Sequence, residues 1–466
     1  GGRGRARRLS RARWSSAFLV SLLLGGGAAG QETGVPADSQ GAASSAQGVD
    51  SAQTAPHPGA SIQVFLITLG QADAVWERFG HNALWIRDAA TGEGAAYNWG
   101  IFSFFQEGFI PRLIQGTMLY SMEPADPMVM LGSARNRDRR IWIQELALTP
   151  EQKLELLGFV QWNARPENRQ YRYDYYRDNC STRVRDALDR VLRGRLREAS
   201  AGVTTPYSFR WHTRRLLRGR PAPYLGIQFV LGLSADRPIT GWEEMFLPLK
   251  LRDWVRTLEV PDGEGGVRPF LVREEAFTDS QRPPAPQTPP FALPWFLLAA
   301  LLWGGGMVLA VRVARGGGWL RRLPVSVLGG GWVVVAALSG SLLIGAWAFT
   351  DHFFWYRNMN LLQVSPLFLP LPVPFLLFLV RGRFPRWGRD LTTALMVIAV
   401  VGLIMQLLPG FRQHNLEVLA FAFPMNLALW LAVLSLANGV AGRTGTVTEV
   451  AADDPADPLR RDDSRE

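Results

Sequence analysis

Residues Ile62 to Leu69 (IQVFLITL) form a continuous apolar run of strand length. A short helical piece from Ala72 to Phe79 follows. His81 to Arg87 (HNALWIR) and Ala95 to Ile101 (AAYNWGI) then read as two strands around a turn at Thr91 to Gly94. Further strands are expected at 117–122 and 140–146. At Thr149 the period changes. Thr149, Pro150 and Gln152 supply a capping residue, a proline at the first helical position and the glutamine of a capping box, and Leu154, Leu157 and Val160 recur at helical spacing. A second helix begins within one residue of Cys180, with Val184, Ala187, Leu188 and Val191 as its apolar stripe. The stretch 61–277 is therefore expected to be an α+β domain.

After a Pro-rich linker at 278–290 the pattern turns to long apolar runs. About 20 apolar residues cross a hydrocarbon core. By that measure 291–311, 325–350, 361–380, 391–408 and 418–438 are five candidate spans of an all-α membrane domain at 291–440. Pro366, Pro370, Pro372 and Pro374 interrupt the third, which predicts a bent or re-entrant piece. At the other end, Arg3, Arg5, Arg7, Arg8, Arg11 and Arg13 precede the apolar core Ala17 to Leu24 and the small residues Gly25 to Gly30. That is the layout of a secretory signal peptide over 1–30. Composition predicts a disordered linker at 31–60 and a disordered tail at 441–466.

The formal charge of +10 invites a nucleic-acid reading, but only Lys153 and Lys250 are lysines among 50 basic residues. Such a bias reads as base composition, no nucleic-acid motif accompanies it, and nucleic acid is not expected as a partner. The arginines instead report topology. Arg312, Arg315, Arg321 and Arg322, then Arg381, Arg383, Arg386 and Arg389, occupy alternate loops, while the opposite loops hold only Arg357 and Arg412. The positive-inside rule then predicts a multi-pass protein of a bacterial inner membrane, with its N-terminal domain periplasmic and its C-terminus cytoplasmic.

Cys180 is the single cysteine, so intramolecular disulfides and multi-thiolate zinc sites are excluded; no metal, cofactor or nucleotide motif is visible. At a helix start a thiol meets unpaired N–H groups and a partial positive charge. These favour the thiolate and can hold an oxyanion. Of the five histidines, His57 falls in the linker and His352 and His414 in loops between spans. His81 stands beside Gly80 at a strand start, and His212, among Trp211, Arg214 and Arg215, reads as a surface residue. Spacing alone leaves open that Cys180 is a buried small hydrophobe and His81 a hydrogen-bonded strand residue.

Phe79-Gly80-His81-Asn82-Ala83-Leu84, Tyr97-Asn98-Trp99-Gly100-Ile101-Phe102 and Tyr171 through Cys180 with Ser181-Thr182-Arg183 resemble the signatures of the Lnb N-terminal periplasmic domain family. The resemblance covers roughly 61–260, and the Asp351-His352 to Asn360-Leu361 loop is similar to the membrane part of many members. It implies a permuted papain-like fold of the NlpC/P60 kind, in which His81 is the base and Cys180 the nucleophile. A third polar residue orients the imidazole in such sites. Strand adjacency puts Asn98 first, with Asn82 and Asp178 behind it, although the simplest hairpin register sets residue 102 opposite His81. Asn179, Asp178, Ser181 and Asn82 are the expected substrate or oxyanion contacts. The expected activity is thiol hydrolysis or acyl transfer on an amide or ester of the cell envelope: a cell-wall peptide, a lipoprotein or a lipid. The alternative is a non-catalytic binding or assembly factor with the same fold. His352, Asn358 and Asn360 on one outer loop, and Gln413, His414 and Asn415 on the other, form a second candidate cluster, while Asn426 is expected to bond between helices.

Overall fold

The computed structural model describes residues 57–278, 280–315 and 317–444, with side chains up to residue 437. The signal peptide expected at 1–30, the linker up to residue 56 and the tail beyond residue 444 lie outside the described residues. The chain forms two compact units, one ending at Pro290 and including Phe349–Phe354, the other comprising Phe291–Ala348 and the chain from Trp355 onward.

The first unit is built on one sheet of β1 (Ile62–Leu69), β2 (His81–Asp88), β3 (Gly94–Ile101), β4 (Leu119–Ala125), β5 (Ile141–Leu146), β6 (Gln170–Arg172) and β9 (Leu271–Thr278). The strand order is β6-β4-β3-β2-β1-β5-β9, and β7 (Glu259–Pro261) pairs with β8 (Val267–Pro269) in a separate ribbon. All the pairings are antiparallel. The apolar run of β1 is explained by its place between β2 and β5, with both faces covered. Val64 and Leu66 join Leu84, Ile86 and Trp99 in one core, while Phe65, Ile67 and Leu69 join Leu131 and Ile143 in the other. Each such aliphatic chain, fully withdrawn from water, contributes about 2 kcal/mol.

Among the described residues the helices packed against this sheet include Pro248–Thr257, which lies on β1 and β9, and three that frame the site. α1 (Pro127–Asn136) is capped by Asp126, and α2 (Pro150–Ala164) carries the capping box read from Thr149 and Gln152. α3 (Cys180–Val191) packs on β2 and β3 through Val184, Ala187 and Leu188. The hairpin register pairs Ala83 with Asn98 and Arg87 with Gly94. Continued toward the strand ends, it sets Gly100 across from His81, two residues short of the simplest register. The β3–β4 ladder is irregular between Trp99 and Ile101, which marks Gly100 as the extra residue of a bulge.

Among the described residues, four helices are long and apolar enough to cross a membrane: Leu293–Ala314, Trp319–Phe349, Arg386–Met405 and Leu416–Ala437. Phe353–Leu362 and Pro366–Arg381 together form a fifth candidate bent by 44°, in the region where the prolines predicted an interruption. Small residues bring the first and last helices together, since a Cβ at Gly304 would stand 3.0 Å from that of Ala428. Asn426 bonds between elements, accepting from Trp332 Nε1 at 3.0 Å and donating to Gln363 O at 2.9 Å. The loop amides are buried partners of one another: Gln413 Nε2 donates to Asn358 Oδ1 at 3.2 Å and Asn415 Nδ2 to Asn360 Oδ1 at 2.5 Å. His414 is exposed. His352 belongs to the first unit, its Nε2 lying 3.2 Å from Leu113 O.

Candidate active site

β2 can start at His81 because Gly80 turns the chain at φ 90°, where a side chain would strike Leu69 O at 2.8 Å. Asn98 lies opposite Ala83, so it is the diagonal cross-strand neighbour of His81 on the same face. Their side chains meet, with His81 Nε2 3.1 Å from Asn98 Oδ1. Asn98 Nδ2 donates to Ala96 O at 3.0 Å, which fixes the amide so that its oxygen, not its nitrogen, faces the ring. The ring must therefore donate through Nε2–H, and in the neutral imidazole this leaves Nδ1 as the basic atom.

Cys180 is the first residue of α3. Its N-cap, Asn179, accepts from Ser181 N and Thr182 N, both at 2.9 Å, and donates from Nδ2 to Tyr175 O and Phe246 O, both at 3.0 Å. Ser181 Oγ lies 2.7 Å from Met245 O and 2.8 Å from Asn82 Oδ1, and Asn82 Nδ2 donates to Thr68 Oγ1 at 2.8 Å. A buried polar chain thus joins the start of α3 to β2 and β1. The side chains of Asn179, Ser181 and Asn82 serve this scaffold. What Asn82 and Ser181 turn toward the sulfur is their backbone N–H. Asp178 is occupied by a bidentate ion pair with Arg183.

Gly100 lets the thiol reach the sheet, for a Cβ there would stand 3.3 Å from that of Cys180. The sulfur thus lies at the β2–β3 end where His81 and Asn98 meet. Among the described residues no hydrogen bond joins it to the imidazole. Burial pushes the thiol up, against the downward pull of the N–H groups of Asn82 and Ser181, the charge of Arg139 and its own N–H. The expectation that a helix start alone favours the thiolate is corrected here, because desolvation outweighs the helix end. His81 is pushed down to about 4 by burial and then by Arg139, with the Asn98 hydrogen bond opposing. Both groups are neutral at pH 7. Tyr120, pushed up to about 12 by burial and by Cys180, and Tyr173, raised for the same reasons, stack at 4.0 Å. They also line a cavity of about 130 Å³ with Leu113, Met118 and His352.

Residues 50–218 match the Lnb N-terminal periplasmic domain. The matched range contains β1 to β6, α1 to α3, and His81, Asn98 and Cys180. It ends before Met245 and Phe246, whose carbonyls anchor α3. No curated protein and no solved structure matches the chain. A periplasmic domain family followed by four or five membrane-length helices points to a multi-pass membrane protein.

His212 is corrected from surface to core. It is 0% exposed, with Nε2 3.0 Å from Glu244 Oε1 and Nδ1 accepting from Arg215 Nε at 3.0 Å. Its arginine neighbours disguised it. Arg139 is hidden in the sequence for the same reason, as one of four arginines between 135 and 140. Among the described residues no group of His, Cys, Asp and Glu could hold a metal ion.

Proposed function

We propose that the Lnb domain is a permuted papain-like thiol acyltransferase or hydrolase of the cell envelope. The observation that carries this reading is the His81 Nε2 to Asn98 Oδ1 contact of 3.1 Å, with the amide pinned by Ala96 O, beside the helix start that bears the cysteine. His81 Nδ1 takes the Cys180 proton as sulfur attacks the carbonyl carbon of an amide or ester. The carbonyl π pair moves onto oxygen, facing the N–H groups at the start of α3. Collapse of this adduct expels the amine or alcohol, which leaves with the proton held by His81. The thioester on Cys180 then passes its acyl group to water or to an amine or alcohol acceptor, which His81 deprotonates. The carbonyl group would come from a cell-wall peptide, a lipoprotein or a lipid of the inner membrane. Cys180, His81 and Asn98 are thus the catalytic and orienting residues, with the domain periplasmic and the C-terminus cytoplasmic on the arginine distribution.

A second reading, an envelope binding or assembly factor with an inert thiol, draws on the upward-shifted Cys180 and its lack of a hydrogen bond to the ring. Acylation of the full-length protein by an activated ester, followed by intact mass, separates the two. Wild type should gain one acyl group on Cys180. His81→Ala should slow this by about 10²- to 10⁴-fold, and Asn98→Ala should give a smaller loss. Equal rates in all three proteins would favour the binding factor.

A further inference from the structure

The stretch Ile101 to Gln115 (IFSFFQEGFIPRLIQ) holds eight large apolar side chains, and its only charged residues are Glu107 and Arg112. Ile101 ends β3, and the short helix Phe109–Gln115 follows. Ile101, Phe104 and Ile114 are exposed, as is Trp76 beside them, and Phe105 stands 96% exposed. The rings form a fixed platform. Phe104 packs on Phe102, Trp76 and Phe109 with centroids 5.0, 6.1 and 5.4 Å away, and Phe102 rests on Tyr120 at 5.0 Å. A contiguous apolar patch of this kind marks a contact surface. The chain at its edge tells what covers it. Helix Phe109–Gln115 is bonded to the segment Phe349–Phe354 of the same unit: Asp351 N donates to Gln115 O at 2.7 Å, His352 Nε2 lies 3.2 Å from Leu113 O, and a Cβ on Gly116 would stand 3.1 Å from the His352 ring. Phe349 is the last residue of Trp319–Phe349, a helix long and apolar enough to cross a membrane. Two residues, at most about 7 Å of extended chain, separate it from Asp351. Arg321 and Arg322 stand at the opposite end of that helix, which by the positive-inside rule puts Phe349 at the periplasmic surface.

We propose that this patch is a lipid-contacting surface: Phe104, Phe105 and Ile114 are seated in the periplasmic leaflet of the bilayer that the helices cross, with Trp76 at headgroup level. Aromatic rings are favoured at that boundary, where an apolar face sinks about 5–10 Å. The one cation of the stretch is turned back on its own loop, Arg112 Nε donating to Glu107 O at 3.2 Å. The tether at Gln115 and Gly116 holds the platform within reach of the end of a span, so the lipid there is the surface that it meets first. The inference stands apart from the chemistry assigned to Cys180. It bears on the site by position, because the patch begins one residue after Gly100, where a Cβ would stand 3.3 Å from that of Cys180. The bilayer surface then borders the end of the sheet where the sulfur lies.

The chain has one cysteine, so full-length Cys180→Ser is a thiol-free background in which single positions are labelled with an environment-sensitive nitrobenzoxadiazole dye. Phe105→Cys and Ile114→Cys probe the patch. Val129→Cys is the reference, an apolar position 65% exposed that follows β4, whose seven residues lead roughly 24 Å away from the Gly116 end. The labelled proteins are reconstituted in phosphatidylcholine nanodiscs, with and without lipid that carries a nitroxide near the top of its acyl chain, and iodide serves as the aqueous quencher. The labels at 105 and 114 should emit at shorter wavelength than the label at 129, and lose most of their intensity to the lipid nitroxide and little to iodide. The label at 129 should do the reverse. If Ile114→Cys does not fold, position 105, with almost no packing to lose, decides alone. Quenching of all three labels by iodide and of none by the lipid nitroxide overturns the proposal. So does a label at 105 shielded from both quenchers, the result for a face covered by a second copy or by another protein.

Discussion

Two histidines carry the clearest residue-scale consequence. His81 and His212 sit neutral in the fold, each pushed to about 4 against an ordinary value of 6.5. The unfolded chain therefore binds more protons than the native one between those values, so stability is complete above pH 6.5 and drains as pH falls toward 4. His212, fully buried, stands to lose about 3 kcal/mol across that window, and half-buried His81 less. Thermal midpoints of the full-length protein at steps from pH 7.5 to 4.5 should fall, with a shallower fall in His81→Gln. A flat profile would contradict the neutral assignment. His81, Asn98 and Cys180 were legible in the sequence because each stands beside a marker: a glycine before a strand, a resembling motif, a helix start. Arg139 and His212 were not. In a chain where arginine is everywhere, a buried arginine looks like its neighbours, and only tertiary contacts reveal that it is buried.

At the scale of elements, the turn signals, the capping box at Thr149 and the start of α3 are all readable from sequence, since each depends on residues adjacent in the chain. The hairpin register is not. It is set by the five residues between β2 and β3 together with the bulge at Gly100, and that bulge answers to β4 and to α3, both distant in sequence. Asn179 is the residue through which α3 is held in place, capping two N–H groups while bonding two carbonyls outside the helix. Asn179→Ala should cost about 1–2 kcal/mol from the cap alone. Asn179→Asp keeps the acceptor and adds a negative charge favourable at a helix start but loses the two hydrogen bonds that Nδ2 donates, so its loss should be smaller. Thermal unfolding of both variants in the full-length protein checks the ranking, and a reversed order would move the main anchoring to Tyr175 and Phe246.

For the whole molecule, four spans were plain from hydropathy, and the third candidate was marked by its prolines as unlike the rest. Whether it crosses depends on packing within the bundle, which no window of apolar residues records. The arginine distribution favours a crossing. Cytoplasmic reporters should therefore be active when fused after Glu466 and periplasmic reporters inactive there; the opposite pair of results would remove the fifth span. The 44° bend turns this into a question of odd and even. With the bent pair as a full crossing, the two ends of the chain face different compartments. With it as a hairpin that dips and returns, they share one, and Arg381, Arg383, Arg386 and Arg389 face outward. A change confined to Pro366 or Pro370 could thus invert the orientation of Arg386–Met405 and Leu416–Ala437 without altering a residue in either.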